Sequence, residues 1–309
     1  MPSNQTPLGA LPSRFRKERL LIVGCGDIGV RLARLARSNT RLIALTSSPE
    51  RLLELKSQGI TAISGNLDDP KTLTRLSGLG TRVAHLAPPP SSGENGELDP
   101  RTQNLVRTLL KRTPALQCVY ASTTGVYGDC SGAWVPETRP LNPTTARAKR
   151  RVHAEALMRF LGTVLAGSTG VTTLRVPGIY ALDRDQGTPQ ARLQRGTPVL
   201  ETSADVYTNH IQADDLARAC WLALWRGPTL RAINTSDDTQ MKMADYMDWA
   251  ADHFGLKRPP RISAKNAAIE LSPMQLSFMQ ESRRLVNKRL KEELRLKLNY
   301  PSIKEGLSK

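Results

Sequence analysis

The sequence has few aromatic residues and few cysteines, and both shortages exclude classes of protein. Phe, Trp and Tyr make up 5% of the 309 residues, which leaves few rings for the platforms on which single-stranded nucleic acids stack. The four cysteines are widely scattered, without a Cys-x-x-Cys pair, so a small disulfide-stapled fold is excluded and a zinc site lacks suitable ligand spacing. We therefore expect reduced thiols and no metal.

Long apolar runs are also missing. No stretch approaches 18 consecutive apolar residues, and the N-terminal segment MPSNQTPLGALPSRFRKER lacks the apolar core of a secretory signal. The sequence thus predicts a cytoplasmic protein that does not span a membrane. Residues 1–18 are rich in Pro, Ser and basic side chains without periodicity, which predicts a disordered tail.

The formal net charge is +16, but the basic residues form no cluster. A strongly basic chain can bind nucleic acid by releasing counterions from it. Here Lys and Arg are spread from Arg14 to Lys309. The sequence therefore favours a solvated basic surface over a nucleic-acid partner.

Short apolar runs alternate with segments of helical spacing, and this rhythm predicts the fold. The runs are too short for buried helices and rich in β-branched residues, so they predict strands at 20–23, 41–45, 60–64, 81–87, 117–122 and 171–176. Alternating strands and helices require right-handed crossovers and a parallel sheet with helices on both faces. We expect an α/β, doubly wound Rossmann fold.

Domain boundaries follow from the same rhythm. Residues 19–176 form the predicted dinucleotide-binding domain, which 205–235 complete with a helix at 213–226 and a short strand from Arg231. The remaining segments, 177–204 and 236–309, predict a smaller and mostly helical substrate-binding region.

The motif LLIVGCGDIG (20–29) joins the first predicted strand to the first helix. In this context Gly24 makes a tight turn, Gly26 lets the backbone approach a pyrophosphate, and Gly29 allows close packing of helix and strand. The free N–H groups that follow, at Asp27 and Ile28, can bind the phosphates. Three glycines can also form a simple turn, but the following strand and helix units favour a dinucleotide site.

A carboxylate is missing where the second predicted strand ends. NAD-preferring sites usually carry Asp or Glu there for the ribose 2′-OH, whereas this chain has Thr46 and Ser47, with no acid before Glu50. These hydroxyls and Arg51 suit a 2′-phosphate, although Ser47 and Ser48 can equally cap the next helix. The sequence favours NADP over NAD.

Further motifs follow in a specific order and resemble those of the extended short-chain dehydrogenase/reductase family, the nucleotide-sugar epimerases and dehydratases. They are Asn66–Leu67, His85-Leu86-Ala87, YASTTGVYGD (120–129), ETRPLNP (137–143), LRVPGIY (174–180), NHIQADDLA (209–217), INTSDD (233–238) and NYPSIKEGL (299–307). The resemblance implies that Asn66 and Leu67 lie beside adenine, Leu86 and Ala87 beside the cofactor ribose, and Thr123 at the catalytic Ser/Thr position.

One departure from the family concerns the helix after Pro143. The family carries a Tyr and, four residues later, a Lys on this helix; alignment through Pro143 and Glu155 gives Arg147 and Arg151 instead. Arginine stays protonated, so Arg147 is a poor general acid or base near neutral pH. Arg151 can still donate to the nicotinamide ribose. The sequence thus resembles the atypical subgroup without the Tyr-x-x-x-Lys motif.

Two other interpretations of these arginines remain open. They can form a solvated helix face on which Arg151 pairs with Glu155, or they can clamp a substrate phosphate or carboxylate.

Other side chains are candidates for the missing proton carrier. Tyr127, four residues after Thr123 in a predicted loop, is the first of these, unless it merely lines the pocket. Tyr180 and His210 match substrate-side positions of the family, and histidine has a suitable intrinsic pKa. A lone histidine is more often structural.

The resemblance implies an NAD(P)-dependent oxidoreductase or epimerase that acts on a nucleotide sugar or a similar carbonyl or alcohol. The alternative is a non-catalytic NADP-binding sensor or regulatory protein, which the missing tyrosine favours. Because LRVPGIY and NHIQADD are retained, we favour the enzyme. A homodimer through helices at about 101–112 and 144–161 is common in the family and is a further expectation.

Overall fold

The computed structural model describes residues 18–91, 96–112, 115–184, 187–271, 276 and 279–308. Its strands are β1 (Glu18–Val23), β2 (Thr40–Thr46), β3 (Thr61–Ser64), β4 (Arg82–His85), β5 (Gln117–Thr123), β6 (Trp134–Val135), β7 (Gly170–Val176), β8 (Gly178–Tyr180), β9 (Val199–Leu200), β10 (Tyr207–Thr208), β11 (His210–Gln212), β12 (Arg231–Asn234), β13 (Met241–Lys242), β14 (Arg261–Ile262) and β15 (Arg284–Leu285).

Helices connect these strands. They are α1 (Asp27–Arg34), α2 (Pro49–Ser57), α3 (Pro100–Leu109), α4 (Ala146–Val164), α5 (Gln190–Gln194), α6 (Ala213–Arg226), α7 (Met243–His253), α8 (Ala264–Glu270), α9 (Lys288–Glu292) and α10 (Ile303–Leu307), with 3-10 helices at Pro70–Leu76 and Thr124–Tyr127. The predicted helix at 213–226 is confirmed with its bounds as α6.

A seven-stranded sheet in the order β12-β7-β5-β4-β1-β2-β3 forms the centre, and every neighbouring pair is parallel. This confirms the doubly wound α/β prediction. The strand order reverses between β1 and β4. In open α/β sheets such a reversal opens a crevice beyond the carboxyl ends of the strands, so the segments after β1 and β4 face it.

Apolar side chains on both faces of the sheet bury the helices against it. Leu20 and Ile22 of β1 pack in one core with Leu32 of α1 and Leu216 of α6. Alternate positions of the same strand, Leu21 and Val23, face a second core with side chains of α3 and α4. The period-two alternation of a strand thus produces the two cores.

The smaller region has a core of its own. Side chains of α7 pack there with residues from the segment after β8 and from α10. The stretch 177–204, which the sequence assigns to the smaller and mostly helical region, contains the short elements β8, α5 and β9. Short strand pairs, β8 with β11 and β6 with β15, join distant parts of the chain.

Several sequence predictions concern the ends and the thiols. Of the predicted disordered tail, residues 1–17 lie outside the described residues, whereas Glu18 belongs to β1 and pairs with Thr40. The cysteines are free and buried. None of the helices in the described ranges combines the length and apolar character needed to cross a membrane.

Candidate active site

The glycine turn after β1 brings the chain against the segment after β4. Gly24 has φ +89°, and a Cβ atom there would lie 2.4 Å from the backbone nitrogen of Ala87. The N–H groups of Leu86 and Ala87 both donate to the carbonyl oxygen of Val23, at 2.8 and 3.0 Å. Only glycine permits this conformation and this close approach.

The N-terminus of α1 is open beyond the turn. Gly26 precedes the helix without a side-chain cap, and no described atom lies within 4 Å of where its Cβ would stand. At Gly29, by contrast, a Cβ would lie 3.2 Å from the Cys25 Sγ and from Ile22. The first turn of α1 therefore presents N–H groups without intrahelical acceptors, and a partial positive charge, to the open space beside Gly26, called the cradle below, and this arrangement fits a phosphate.

Arg51 of α2 lies beside this cradle. Its Nη2 donates to the carbonyl oxygen of Cys25 at 2.8 Å, and its Nη1 lies 3.3 Å from Glu54. The Ser48 hydroxyl donates to Glu50 at 2.5 Å, which lowers the pKa of that carboxyl, and it does not cap α2. An arginine rather than a carboxylate is thus the charged group that reaches the glycine turn from α2.

The ends of β2 and β3 supply the neighbouring positions. Ser47 is exposed, and Thr46 accepts a hydrogen bond from the Ser48 backbone N–H at 3.2 Å. After β3, Asn66 accepts from the Asp68 N–H at 3.0 Å, and the Leu67 carbonyl is bound by an amide of α3 at 2.9 Å. The predicted adenine-side residues therefore lie in an ordered loop at the carboxyl edge of the sheet.

His85 at the end of β4 is buried and uncharged. Its Nε2 lies 2.8 Å from the Thr102 hydroxyl, which itself donates to Asp99 at 2.6 Å. Burial, with a smaller effect from the charge of Arg151, lowers the pKa of His85 to about 3. His85 therefore anchors α3 to the sheet as a neutral side chain.

Arg151 of α4 reaches the sheet rather than the helix surface. Its Nη1 donates to the carbonyl oxygen of Ala121 at 2.7 Å and to the Tyr120 hydroxyl at 3.1 Å. Burial raises the pKa of Tyr120 to about 12, so the hydroxyl remains protonated. The guanidinium is fixed beside the carboxyl end of β5.

The alternative pairing of Arg151 with Glu155 is wrong. Glu155 is buried and binds Arg175 of β7 through two contacts, at 2.8 and 3.2 Å, and also accepts from the Ser122 hydroxyl at 2.6 Å. A buried carboxylate needs a buried partner, and Arg175, with 4% of its side chain exposed, supplies it.

Arg147 lies at the exposed start of α4. Desolvation, and then the like charge of Arg151, lower its pKa, while Glu281 acts in the opposite direction. Glu281 accepts hydrogen bonds from Arg283 and, at 3.3 Å, from the Thr144 hydroxyl. No sequence motif identified Glu281, which comes from a distant segment.

Thr123 ends β5 in a half-buried position. Its hydroxyl oxygen accepts one long hydrogen bond, 3.4 Å, from the Gly125 N–H. Such a contact uses one lone pair and leaves the hydroxyl hydrogen for another acceptor. Thr123 can therefore donate to an oxygen atom bound at the carboxyl edge of the sheet.

Tyr127 lies in a 3-10 helix, where the sequence predicts a loop, and is 1% exposed. Its hydroxyl donates to Asn234 at 2.8 Å and accepts from Arg175 at 2.8 Å. Burial raises its pKa. These contacts favour a structural role over the predicted proton transfer.

Tyr180 belongs to the core of the smaller region, and the ring of His210 lies edge-on to the Tyr180 ring, with 6.3 Å between the ring centroids. The Tyr180 hydroxyl donates to the carbonyl oxygen of Ser302 at 3.2 Å, and burial raises its pKa. Burial lowers the pKa of His210 to about 3, and its ring centroid lies 4.7 Å from that of Tyr246. Both side chains are therefore poorly suited to exchange protons near neutral pH.

Asp237, within the INTSDD motif, is a buried acid that sequence reasoning missed. It is 4% exposed, and burial raises its pKa to about 7 although the Thr239 N–H donates to it at 2.9 Å. The motif alone does not indicate the raised pKa of Asp237, because the pKa depends on the side chains that pack around the carboxyl group.

Comparison with known proteins agrees with this architecture. Residues 20–84 match the family model of the TrkA-N domain. No curated protein matches the chain in sequence. A functionally unknown conserved protein from Silicibacter pomeroyi DSS is 28% identical, with a TM-score of 0.76 and coverage of 94% of this chain and 97% of that chain.

Two enzymes named for nucleotide sugars have similar structures. UDP-glucose 4-epimerase from Thermotoga maritima is 18% identical, with a TM-score of 0.74 over 94% of this chain and 96% of that one. The dTDP-glucose 4,6-dehydratase DesIV from Streptomyces venezuelae is 18% identical, with a TM-score of 0.73 over 94% of each chain. The protein thus has a Rossmann-type domain and a smaller region in the arrangement of the epimerase and dehydratase fold.

Proposed function

We propose that this protein is an NAD(P)-dependent oxidoreductase or epimerase of the extended short-chain type, acting on a carbonyl or alcohol of a nucleotide sugar or similar small molecule. The observation that carries the proposal is the open, uncapped start of α1 beyond Gly26, at the reversal of strand order. DesIV, which shares the fold, was solved with NAD bound.

The residues around the crevice fit a dinucleotide. The turn at Gly24, Gly26 and Gly29 and the N–H groups of Asp27 and Ile28 would hold the pyrophosphate. Asn66 and Leu67 would lie by the adenine, and Leu86, Ala87 and Arg151 by the ribose of the nicotinamide. A bound nicotinamide would accept or donate the hydride.

The proposed cofactor is NADP rather than NAD. Arg51 reaches the glycine turn, and the Thr46 and Ser47 hydroxyls stand where NAD-preferring sites carry an acid. A guanidinium beside the ribose would pair with a 2′-phosphate, which NAD lacks. Arg51→Met should therefore weaken NADPH binding more than NADH binding.

The chain's own groups would act on the substrate oxygen. The Thr123 hydroxyl can donate a hydrogen bond to it, and Arg147 and Arg151 add positive charge that stabilises a developing alkoxide or a substrate carboxylate or phosphate. Arginine does not replace a tyrosine as a proton carrier. We infer that orientation and charge are the main contributions of these residues.

The test begins with binding and continues with turnover. Thermal shifts with NADPH, NADP, NADH and NAD should be largest for the NADP pair and should grow with ligand as RT ln(1 + [L]/Kd). Incubation with NADPH and a panel of carbonyl compounds, including nucleotide sugars, should then consume reduced cofactor. Thr123→Ala should slow turnover and leave NADPH binding unchanged.

The second candidate is a non-catalytic NADP-binding sensor, which the arginine at position 147 favours. It predicts the same thermal shift without turnover on any member of the panel. Steady consumption of NADPH with one substrate would exclude it.

A further inference from the structure

Arg31 of α1 is the centre of a charged cluster at the edge of the crevice. Its side chain is 6% exposed and contacts Asp27 at 3.0 Å, Asp183 at 2.6 Å and Asp214 at 2.6 Å. Burial opposes the charge of Arg31, but the three carboxylates more than offset it and raise its pKa. The segment after β8, which holds Asp183, is thereby bound to α1.

The next residue of that segment, Arg184, also contacts the start of α1. Its Nε lies 3.0 Å from the Asp27 carboxylate, and its Nη1 donates to the carbonyl oxygen of Ile179 at 2.9 Å. The Gly187 N–H donates to the carbonyl oxygen of Arg184 at 2.9 Å. A Cβ on Gly187 would lie 2.6 Å from the Arg184 Cβ, so this close approach requires glycine.

Asp27 is the first residue of α1 and directly follows Gly26 in the cradle. A carboxylate at this end of a helix is stabilised by the helix dipole, but it would repel a bound pyrophosphate. Arg184 is the second cation on Asp27, and its side chain keeps 29% of its surface exposed. Its contacts with Asp27 and Ile179 use Nε and Nη1, so Nη2 is not engaged in either.

We infer that Arg184, which lies beside Asp27 at the start of α1, is a direct ligand of the cofactor's pyrophosphate. The inference rests on the proposed function, because its ligand is the dinucleotide of that site. Arginine suits the task because Nη2 of its guanidinium still carries N–H donors for a phosphate oxygen and the group stays charged near neutral pH.

A double-mutant cycle separates direct binding from simple neutralisation of Asp27. Arg184→Met and Asp27→Asn would be made singly and together, and NADPH and NADH affinities measured by fluorescence titration. A direct ligand predicts that Arg184→Met weakens binding about tenfold or more, both in the native background and beside Asp27→Asn, as for the loss of a charge-assisted hydrogen bond. Arg184→Lys, which keeps the charge but not the fork, should lose less.

Two controls accompany the cycle. Adenosine 2′-monophosphate, which has no pyrophosphate, should bind the native protein and Arg184→Met equally well. Arg195→Met removes the same charge from an exposed position after α5 and should leave NADPH affinity within about twofold, because distant exposed charges are screened. Melting temperatures check that each variant is folded.

The outcomes are distinct. If the native protein binds neither NADPH nor NADH, the proposed function fails and this inference fails with it. If the native protein binds and Arg184→Met binds equally well, only the role of Arg184 is overturned. If Arg184→Met loses affinity in the native background but not beside Asp27→Asn, Arg184 acts only through Asp27, and direct ligation is also overturned.

Discussion

At the scale of single residues, burial decides which titratable side chains near the crevice can exchange protons. His85 and His210 have the pKa of their rings lowered to about 3, and burial raises the pKa of Tyr127 and Tyr180. All four are therefore neutral at physiological pH. Their chemistry is that of hydrogen-bonding core residues, whereas the groups that we propose meet a substrate are Thr123, Arg147 and Arg151.

The buried histidines predict a loss of stability in acid. In the unfolded chain each has a pKa near 6.5, whereas in the folded chain it is about 3. The unfolded state thus binds more protons below about pH 6.5, so the free energy of unfolding falls by about 1.4 kcal/mol per pH unit for each histidine as pH decreases towards 3. Urea unfolding between pH 7 and 5 measures the slope.

His210→Asn isolates one of these contributions. Between pH 7 and 5, the free energy of unfolding of the variant should fall by about 2 kcal/mol less than that of the native protein, whatever its value at pH 7. Equal slopes of unfolding free energy against pH for both proteins would mean that His210 takes up its proton as readily in the folded state as in the unfolded state.

Sequence reasoning at this scale succeeds for the tight turn at Gly24 and the close packing at Gly29, because each has a local backbone reason that its neighbours reveal. It fails for Tyr127, whose partners Asn234 and Arg175 are 107 and 48 residues away in sequence. Asp237 is missed for a similar reason. A motif gives the residue type, but the pKa depends on side chains that only the folded chain brings together.

At the scale of elements, the turn between β1 and α1 contains one glycine that we expect to affect NADPH binding, Gly26, and one that we expect to affect the stability of the fold, Gly24. Gly26→Ala should fold normally, because φ −82° suits any residue and no described atom is within 4 Å of the new methyl group. The methyl group would nevertheless occupy the cradle and weaken NADPH binding tenfold or more. The free energy of unfolding, measured by thermal denaturation, should change by less than about 1 kcal/mol.

Gly24→Ala is the contrasting variant. With φ +89° and a Cβ position 2.4 Å from the Ala87 nitrogen, Gly24→Ala should lower the free energy of unfolding by more than about 1 kcal/mol.

For the first variant, normal NADPH affinity in Gly26→Ala would show that the phosphates lie elsewhere.

A buried ion pair, Glu155 with Arg175, joins α4 to β7 and is a second feature of this scale. Glu155→Gln would leave the buried guanidinium of Arg175 without its counter-charge, at a cost of about 3–5 kcal/mol in the free energy of unfolding. The exposed pair of Lys288 and Glu292 offers a matched control: Glu292→Gln should cost less than about 0.5 kcal/mol. Chemical denaturation measures both.

The Glu155 variant would be informative in either direction. A loss of unfolding free energy as small as that of Glu292→Gln would mean that water reaches Arg175 and that the ion pair is not excluded from solvent. The sequence does not predict this tie, since helical spacing suggests Arg151 as the partner of Glu155, whereas β7 brings a better-buried arginine to the same carboxylate.

At the scale of the whole molecule, the sheet was predictable because alternating strands and helices allow few topologies. The predicted strands became β1–β5 and β7, and β12 extends the sheet as the seventh strand. The smaller region was less predictable, since pairs such as β6 with β15 join segments about 150 residues apart. Arg184 meets Asp27 through the same kind of long-range contact.

The predicted homodimer is the remaining question at this scale. Phe160 and Val164 stand four residues apart on α4 and are each 53% exposed, so they form one apolar strip on a helix that the family resemblance assigns to the dimer interface. A second copy of the chain that covers this strip would bury both side chains. Light scattering coupled to size-exclusion chromatography should give twice the mass of 34.0 kDa.

Phe160→Glu should shift this mass towards that of a single chain, because a charge buried in an apolar interface without a partner is costly. Leu53→Glu places the same change on α2, where Leu53 is 76% exposed, and should leave the mass unchanged. A native protein that elutes as a single chain at high concentration would contradict the dimer. A native dimer that Phe160→Glu does not dissociate would assign the interface to another face.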